Sequence, residues 1–310
     1  MNIKGKRVLG SVLLALAAFI WGTSFVAQSV SVDLVEPFTF NAMRMLIGSV
    51  VILPVAAFTS FVKKKNVSNS NNDPKSLKML IIGGSVCGVV IFAAANFQQF
   101  GIDAGTTAGK SGFITALYVV MVPVVSLFLK KKPPFTIWLG MPIAVCGLYL
   151  LCVTEGFSVC KGDLITLCCS VCFTIHIMVI DYFSSYVNGV WLSCIQFFVG
   201  GILSLIAMFI FETPSLSGII SAAVPILYSG VMSSGIAYTL QIVGQKYTHP
   251  TVASLLMSLE SVFAVLSGWI ILSDQMTVRE IIGCVLMFAA ITLAQIPVNQ
   301  AKNSKIDVAL

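Results

Sequence analysis

The sequence predicts an all-α polytopic membrane protein, ten transmembrane helices in two inverted five-helix repeats, and three observations carry that prediction. Of 310 residues, 57% are hydrophobic and 10% charged, with a mean hydropathy of +0.98, against about 25% charged residues in an ordinary soluble domain. The apolar residues fall into ten stretches, each of roughly the length that crosses a hydrocarbon layer about 30 Å thick. The second five stretches echo the first five about 150 residues later.

The spans follow in order. Val8–Val30 comes after Lys4, Lys6 and Arg7 and looks at first like a signal peptide. Its apolar run continues to Val30 without a small-residue cleavage site, so it is expected to stay as the first helix. Pro37–Phe61 carries Arg44 and ends before Lys63, Lys64 and Lys65. Leu77–Gln99 begins with small residues (Gly83, Gly84, Gly88) that allow close helix contact and ends in Asn96, Gln98 and Gln99. Gly105–Leu129 holds Lys110 and Tyr118 and stops at Lys130, Lys131 and Lys132. Thr136–Val153 closes the first half. Asp163–Tyr182 contains His176 and a Cys169/Cys172 pair, read as buried small residues because no second ligand pair lies near. Val190–Phe211 carries Gly200 and Gly201, and Gly218–Gln241 carries Gly230, Gly235, Tyr238 and Gln241. Thr251–Leu272 holds Glu260 and Trp269, and Thr277–Ile296 ends the set. Short connections leave no separate soluble domain.

Basic residues set the orientation, because they are retained on the cytoplasmic side of short loops. With both termini cytoplasmic, 14 of the 18 basic residues lie inside and only Lys161 and Arg279 outside, leaving Arg44 and Lys110 within spans. The net charge of +6 then reads as topology and attraction to anionic headgroups, not as nucleic-acid binding. The expected location is the cell membrane. Eight of the nine cysteines lie within spans and only Cys160 in an outer loop, which excludes an intrachain disulfide framework.

The repeat can be followed residue by residue. Trp21-Gly22-Thr23-Ser24-Phe25-Val26 aligns with Phe173-Thr174-Ile175-His176-Ile177-Met178 at an offset of 152, which also sets Arg44 against Gln196 and Gly48 against Gly200. Phe97-Gln98-Gln99-Phe100-Gly101 aligns with Leu240-Gln241-Ile242-Val243-Gly244 at 143, and Gly140 meets Gly283 at the same value. The units are residues 8–153 and 163–296. Five helices is an odd number, so the second unit enters the membrane from the side opposite to the first. Such inverted pairs support alternating access in transporters, although they also occur in channels.

Trp21-Gly22-Thr23-Ser24-Phe25, Arg44, Thr106-Thr107-Ala108-Gly109-Lys110-Ser111-Gly112-Phe113, Leu117-Tyr118-Val119-Val120, Pro123 and Ser258-Leu259-Glu260-Ser261-Val262-Phe263-Ala264 resemble the EamA-type drug/metabolite transporter family, over about Val8 to Ile296. The resemblance implies the ten-helix inverted-repeat fold and export or exchange of a small metabolite, such as an amino acid or nucleobase. Two positions depart from the family pattern: Phe173 stands where Trp is frequent, and Ser261 where Pro is frequent. Loss of that proline removes a potential kink in the ninth helix.

Charges inside the hydrocarbon cost about 2.5 to 3.5 kcal/mol each on insertion scales, so each one calls for an explanation. Glu260 is open to three roles: proton acceptor, partner of a substrate amine, or member of a structural pair with Arg44 or Lys110. Arg44 sits about 11 Å into its helix, and the resemblance favours structure or gating there over selectivity. Lys110, about 8 Å from the outer end, can snorkel to the surface or face a cavity. Asn96, Gln98 and Gln241 either bond between helices or line a pathway. His176 is either a hydrogen-bonded core residue or a titrating group. Trp21, Tyr118, Tyr238 and Trp269 pack or anchor at interfaces, or stack on a flat solute.

No Walker-type G-x-x-x-x-G-K-[ST] is present, so the expected function is secondary transport, coupled to protons, to a counter-substrate or to nothing. A channel for small solutes is the alternative. A membrane enzyme fits less well, because two histidines and scattered carboxylates supply neither a metal cluster nor a nucleophile with its base. No cofactor is expected. The expected partners are a small-molecule substrate and the lipid bilayer, with the substrate's identity and the oligomeric state open.

Overall fold

The computed structural model describes residues 3–66, 74–152, 160–271 and 277–295, and every regular element within them is helical. Helices α1 (Ile3–Val32), α2 (Pro37–Asn66) and α3 (Pro74–Asp103) are continuous. The fourth is broken into α4a (Ala108–Ala116) and α4b (Tyr118–Phe128). Then come α5 (Phe135–Cys152), α6 (Lys161–Phe183) and α7 (Gly189–Phe211). Helix α8 is composite: short turns Leu216–Ser221 and Ala223–Tyr228, a π-helical stretch Ser229–Ala237, and a terminal α-helix Tyr238–Gln245. The ninth is again broken, into α9a (Pro250–Met257) and α9b (Leu259–Ile271), and α10 (Val278–Gln295) completes the bundle.

Among the described residues, nine helices are long and apolar enough to cross a bilayer, and Phe135–Leu151 is a shorter apolar one. This is the expected ten-helix membrane fold. Large apolar side chains such as Phe58, Phe209, Phe211 and Ile270 stand exposed around it, a surface suited to contact with lipid. The expected ends at Val153, Leu272 and Ile296 lie outside the described residues, as do Lys302 and Lys305.

Local chemistry moves some boundaries. The fourth helix starts at Ala108 and not at Gly105, because Gly105 adopts a positive φ of 98° and the Thr107 side chain caps the helix by accepting from Lys110 N. The ninth helix breaks at Ser258 even though no proline follows Glu260. Ser254 Oγ donates to Thr251 O (3.0 Å) and Ser258 Oγ to Leu255 O (2.8 Å), and such back-bonding bends a helix by competing for its carbonyls.

The helices pair selectively. Helix α2 packs on α7, α5 on α10, and α4 on α9; α3 packs on α6 and α7, while α8 packs on α1 and α2; α4 meets α6, and α1 meets α9. Adding five to each helix number, with ten following five, maps this set onto itself. Backbone-to-backbone crossings obey the same rule. A Cβ on Gly10 would lie 2.9 Å from Gly244 O, and one on Gly101 would lie 3.1 Å from Gly162 O. Gly147 and Gly283 approach each other in the same way, at 3.0 and 2.8 Å. Any side chain there would force the helices apart, so glycine is required by contact and not by conformation.

Helices α4 and α6 are also tied at both ends. Lys110 Nζ lies 2.5 Å from Asp163 Oδ2 at their starts, and Lys131 pairs with Asp181 at their finish.

Candidate functional site

A cavity lies within the bundle, lined from α1, α2, α3, α4, α6, α8 and α9. Its residues recur at helical spacing. Trp21, Phe25 and Gln28 form one stripe of α1; Thr115 and Tyr118 straddle the break in α4; Phe173 and Ile177 sit one turn apart on α6. On α8, Ser233 and Tyr238 share the lining at a spacing of five residues. That spacing brings two side chains to one face only where the helix is wound wider than an α-helix, as the π stretch here is.

The two helix breaks build one end of the site. Tyr118 opens α4b and Glu260 lies in the first turn of α9b. Tyr118 Oη donates to Glu260 Oε1 at 3.0 Å. A carboxylate in the first turn of a helix is also favoured by the aligned peptide dipoles. Broken helices at membrane depth are tolerated where they line a cavity, and here the breaks supply the cavity's acid.

Arg44, 3% exposed, supplies the cation. Its Nε donates to Asn41 Oδ1 at 2.7 Å, and its guanidinium lies 5.5 Å from the Phe40 ring centroid. Among the described residues the ion pairs are Lys110–Asp163 and Lys131–Asp181, so Arg44 and Glu260 share the cavity without bonding to each other. Aromatic residues share the lining with them. Trp21 meets Tyr238 edge-on at 4.7 Å between ring centroids, and Tyr238 in turn meets Phe197 at 5.1 Å.

Three buried polar atoms on the lining have no hydrogen-bond partner among the described residues: Trp21 Nε1, Gln28 Oε1 and Gln241 Oε1. A buried polar atom left unmatched is costly.

Of the ten residues expected from sequence, the structure gathers Glu260, Arg44, Trp21, Gln98, Gln241, Tyr118 and Tyr238 on this lining. Gln98 Nε2 is held by Thr115 Oγ1 at 3.2 Å. Three lie elsewhere. Lys110 is bound at the helix ends to Asp163, which also accepts from Thr106 Oγ1 (3.0 Å) and Cys160 N (2.9 Å). His176 sits one layer behind, with Nε2 on Gln196 Oε1 at 3.1 Å and its ring 6.0 Å from that of Tyr238. Asn96 faces α2 and α7, bonded to Asn41 and Ser204.

The lining also takes Phe25, from the resembling motif of α1, and Gln28, Thr115, Ile177, Ser233 and Met257, which neither composition nor resemblance marks. Gln28 carries a sequence signal, since it repeats Trp21 at seven residues, two helical turns on the same face. Ser233 carries none, because its facing depends on the π winding.

A ten-helix membrane bundle enclosing a polar and aromatic cavity is the architecture of a solute carrier. The chain belongs to the EamA-like transporter family, which it matches over residues 8–153 and again over 160–295. It is similar to an uncharacterized transporter of Archaeoglobus fulgidus, 29% identical over 94% of this chain and 88% of that one. The uncharacterized transporter YoaV of Bacillus subtilis is 25% identical over 92% and 95% of the two chains. A protein of known crystal structure shares the fold, with a TM-score of 0.73 and 20% identity over 92% of this chain and 96% of the other. The chain is therefore a multi-pass membrane transporter, acting on a small molecule in a lipid environment.

Proposed function

We propose that this chain is a secondary transporter that exports or exchanges a small metabolite across the cell membrane by alternating access, with both termini cytoplasmic. The observation that carries the substrate reading is the pairing of one buried cation, Arg44, with one buried acid, Glu260, in a single cavity walled by Trp21, Tyr118 and Tyr238. A buried charge without a partner is strongly unfavourable. A zwitterion satisfies both ends at once, its carboxylate at Arg44 and its amine at Glu260, whereas a neutral nucleobase leaves both charges unmatched. An amino acid with an apolar body is thus favoured over a nucleobase.

Alternating access draws its support from the twofold pattern. The contact of Gly10 with Gly244 becomes that of Gly162 with Gly101 when the offsets 152 and 143 are applied, and the contact of Gly140 with Ala290 O becomes that of Gly283 with Gly147. These are the same offsets that align the two halves of the sequence, and the family match falls on two stretches, 8–153 and 160–295. Two inverted five-helix units that exchange conformations would turn the cavity from one face of the membrane to the other.

Purified protein in liposomes, loaded with unlabelled amino acids, nucleobases or other metabolites in turn, tests the proposal by counterflow of the labelled solute. An amino acid is expected to give uptake above empty liposomes, stimulated by internal counter-substrate. Flux that ignores counter-substrate, or a steady current, would favour a channel. Arg44→Gln is expected to raise the apparent KM at least about tenfold, the scale of losing a charge-assisted hydrogen bond. Glu260→Gln is expected to change both the pH dependence and the affinity; if neither changes, its role is structural.

A further inference from the structure

Among the described residues no carboxylate holds Arg44. It is held by a chain of neutral amides that crosses three helices and whose direction is set at its far end. On α3, Asn96 Nδ2 donates to Phe92 O at 2.7 Å and to Ser204 Oγ of α7 at 3.2 Å. With its amino group committed to a carbonyl that can only accept, Asn96 turns its Oδ1 toward α2. There it accepts from Asn41 Nδ2 at 2.9 Å, and Asn41 Nδ2 also donates to Ala95 O at 3.2 Å. The Asn41 amino group is thus used on two acceptors, so its Oδ1 faces Arg44 Nε at 2.7 Å. Flipping either amide would set donor against donor and acceptor against acceptor. Every side chain in the chain is buried: Asn41 and Ser204 0% exposed, Arg44 3%, Asn96 5%.

The electrical consequence matters as much as the geometric one. An acceptor is supplied to Nε without neutralising the guanidinium, and the terminal nitrogens have no hydrogen-bond partner among the described residues. A planar guanidinium presents two parallel donors to a carboxylate when its orientation is locked. A carboxylate in place of Asn41 would still accept from Nε but would cancel the charge, and its second oxygen would face the acceptors Asn96 Oδ1 and Ala95 O.

We propose that Asn41 and Asn96 are positioning residues that aim a charged, unneutralised Arg44 into the cavity to receive the carboxylate of the transported solute. The inference rests on the reading of Arg44 as the solute's anion site. Its test separates the two.

The first measurement needs no solute. The sequence has three arginines, Arg7, Arg44 and Arg279, so 15N-arginine labelling in detergent micelles gives three Nε–H signals. The one missing in Arg44→Gln is assigned to Arg44. Protection of this signal from solvent exchange is expected in the wild type, with loss of at least about tenfold in folded Asn41→Leu and Asn96→Leu. Unchanged protection in both overturns the positioning role, whatever the transport data show.

The second measurement compares counterflow of phenylalanine with that of phenylalanine amide, which lacks the carboxylate. Preference for the acid is expected to fall by about tenfold in both leucine variants. If Arg44→Gln keeps that preference, the anion-site reading fails. If Arg44→Gln loses it while folded leucine variants keep it, the positioning inference fails. Should the leucine variants not fold, Asn41→Asp decides: it keeps the acceptor toward Nε and the shape, but it neutralises Arg44 and gives up the two hydrogen bonds that Asn41 Nδ2 donates, so preference for the acid is expected to drop. Full retention in Asn41→Asp overturns the proposal.

Discussion

Glu260 shows how much of a residue's role its surroundings decide. A lone glutamate deep in an apolar helix is conspicuous in the sequence, yet its three readings cannot be separated there. The structure narrows them by giving it Tyr118 as a hydrogen-bond donor and a cavity to face, and by placing Lys110 elsewhere on Asp163. His249 is the converse case, a loop residue with a small but testable task. Its Nδ1 caps α9a by accepting from Thr251 N at 3.4 Å and lies 2.8 Å from Thr251 Oγ1. Burial holds its pKa below the ordinary 6.5, with Asp181 pulling it up and Lys131 pushing it down. The imidazole therefore stays neutral when folded while the unfolded chain takes up a proton. The stability it contributes is present above 6.5 and is lost as the pH falls below that value, when protonation also removes the capping acceptor. The melting temperature in micelles is expected to fall between about pH 7.5 and 5.5, and His249→Asn, which keeps a capping acceptor, is expected to flatten that slope. An unchanged slope would remove His249 from the account.

At the scale of elements, α3 and α8 are counterparts that the sequence pairs but cannot distinguish. Gly88 stands to Gly200 as Gly230 stands to Gly48, an offset of 142, whereas Gly101 and Gly244 are related by 143. One additional residue lies in α8 between these points, and the π stretch Ser229–Ala237 coincides with it. A wider turn absorbs an inserted residue without ending the helix, and here it turns Ser233 to the cavity. The flanking crossings are expected to behave as equivalents. Gly244→Val and Gly101→Val should each lower stability by about 1 to 3 kcal/mol through overpacking against Gly10 and Gly162, read as a loss of melting temperature in micelles. A large loss in one and none in the other would break the equivalence. The breaks in α4 and α9 were only half legible: an absent proline argued against a kink in α9, but serine back-bonding produced one.

For the whole molecule, helix number was legible because hydropathy and span length are local sums that need no knowledge of packing. Orientation rests on the lysine distribution and has its own test. In a cysteine-free background, Lys161→Cys is expected to react with a membrane-impermeant maleimide in intact cells, and Lys131→Cys only after permeabilisation. The reverse pattern would invert the topology and every side assigned to the cavity. By itself the sequence determined membrane residence, the order and approximate placement of the spans, and the doubled pattern of glycines and glutamines, all of which are properties of segments. Only the tertiary structure decided which face of each helix turns inward: that Gln28 and Ser233 join the cavity, that Lys110 and Asn96 do not, and that Asn41 stands behind Arg44. The physical reason is the solvent. In water an apolar stripe marks the buried face of a helix, but in lipid the outward face is as apolar as the core, so the inward face is chosen by small-residue contacts and hydrogen bonds that form only when the helices meet.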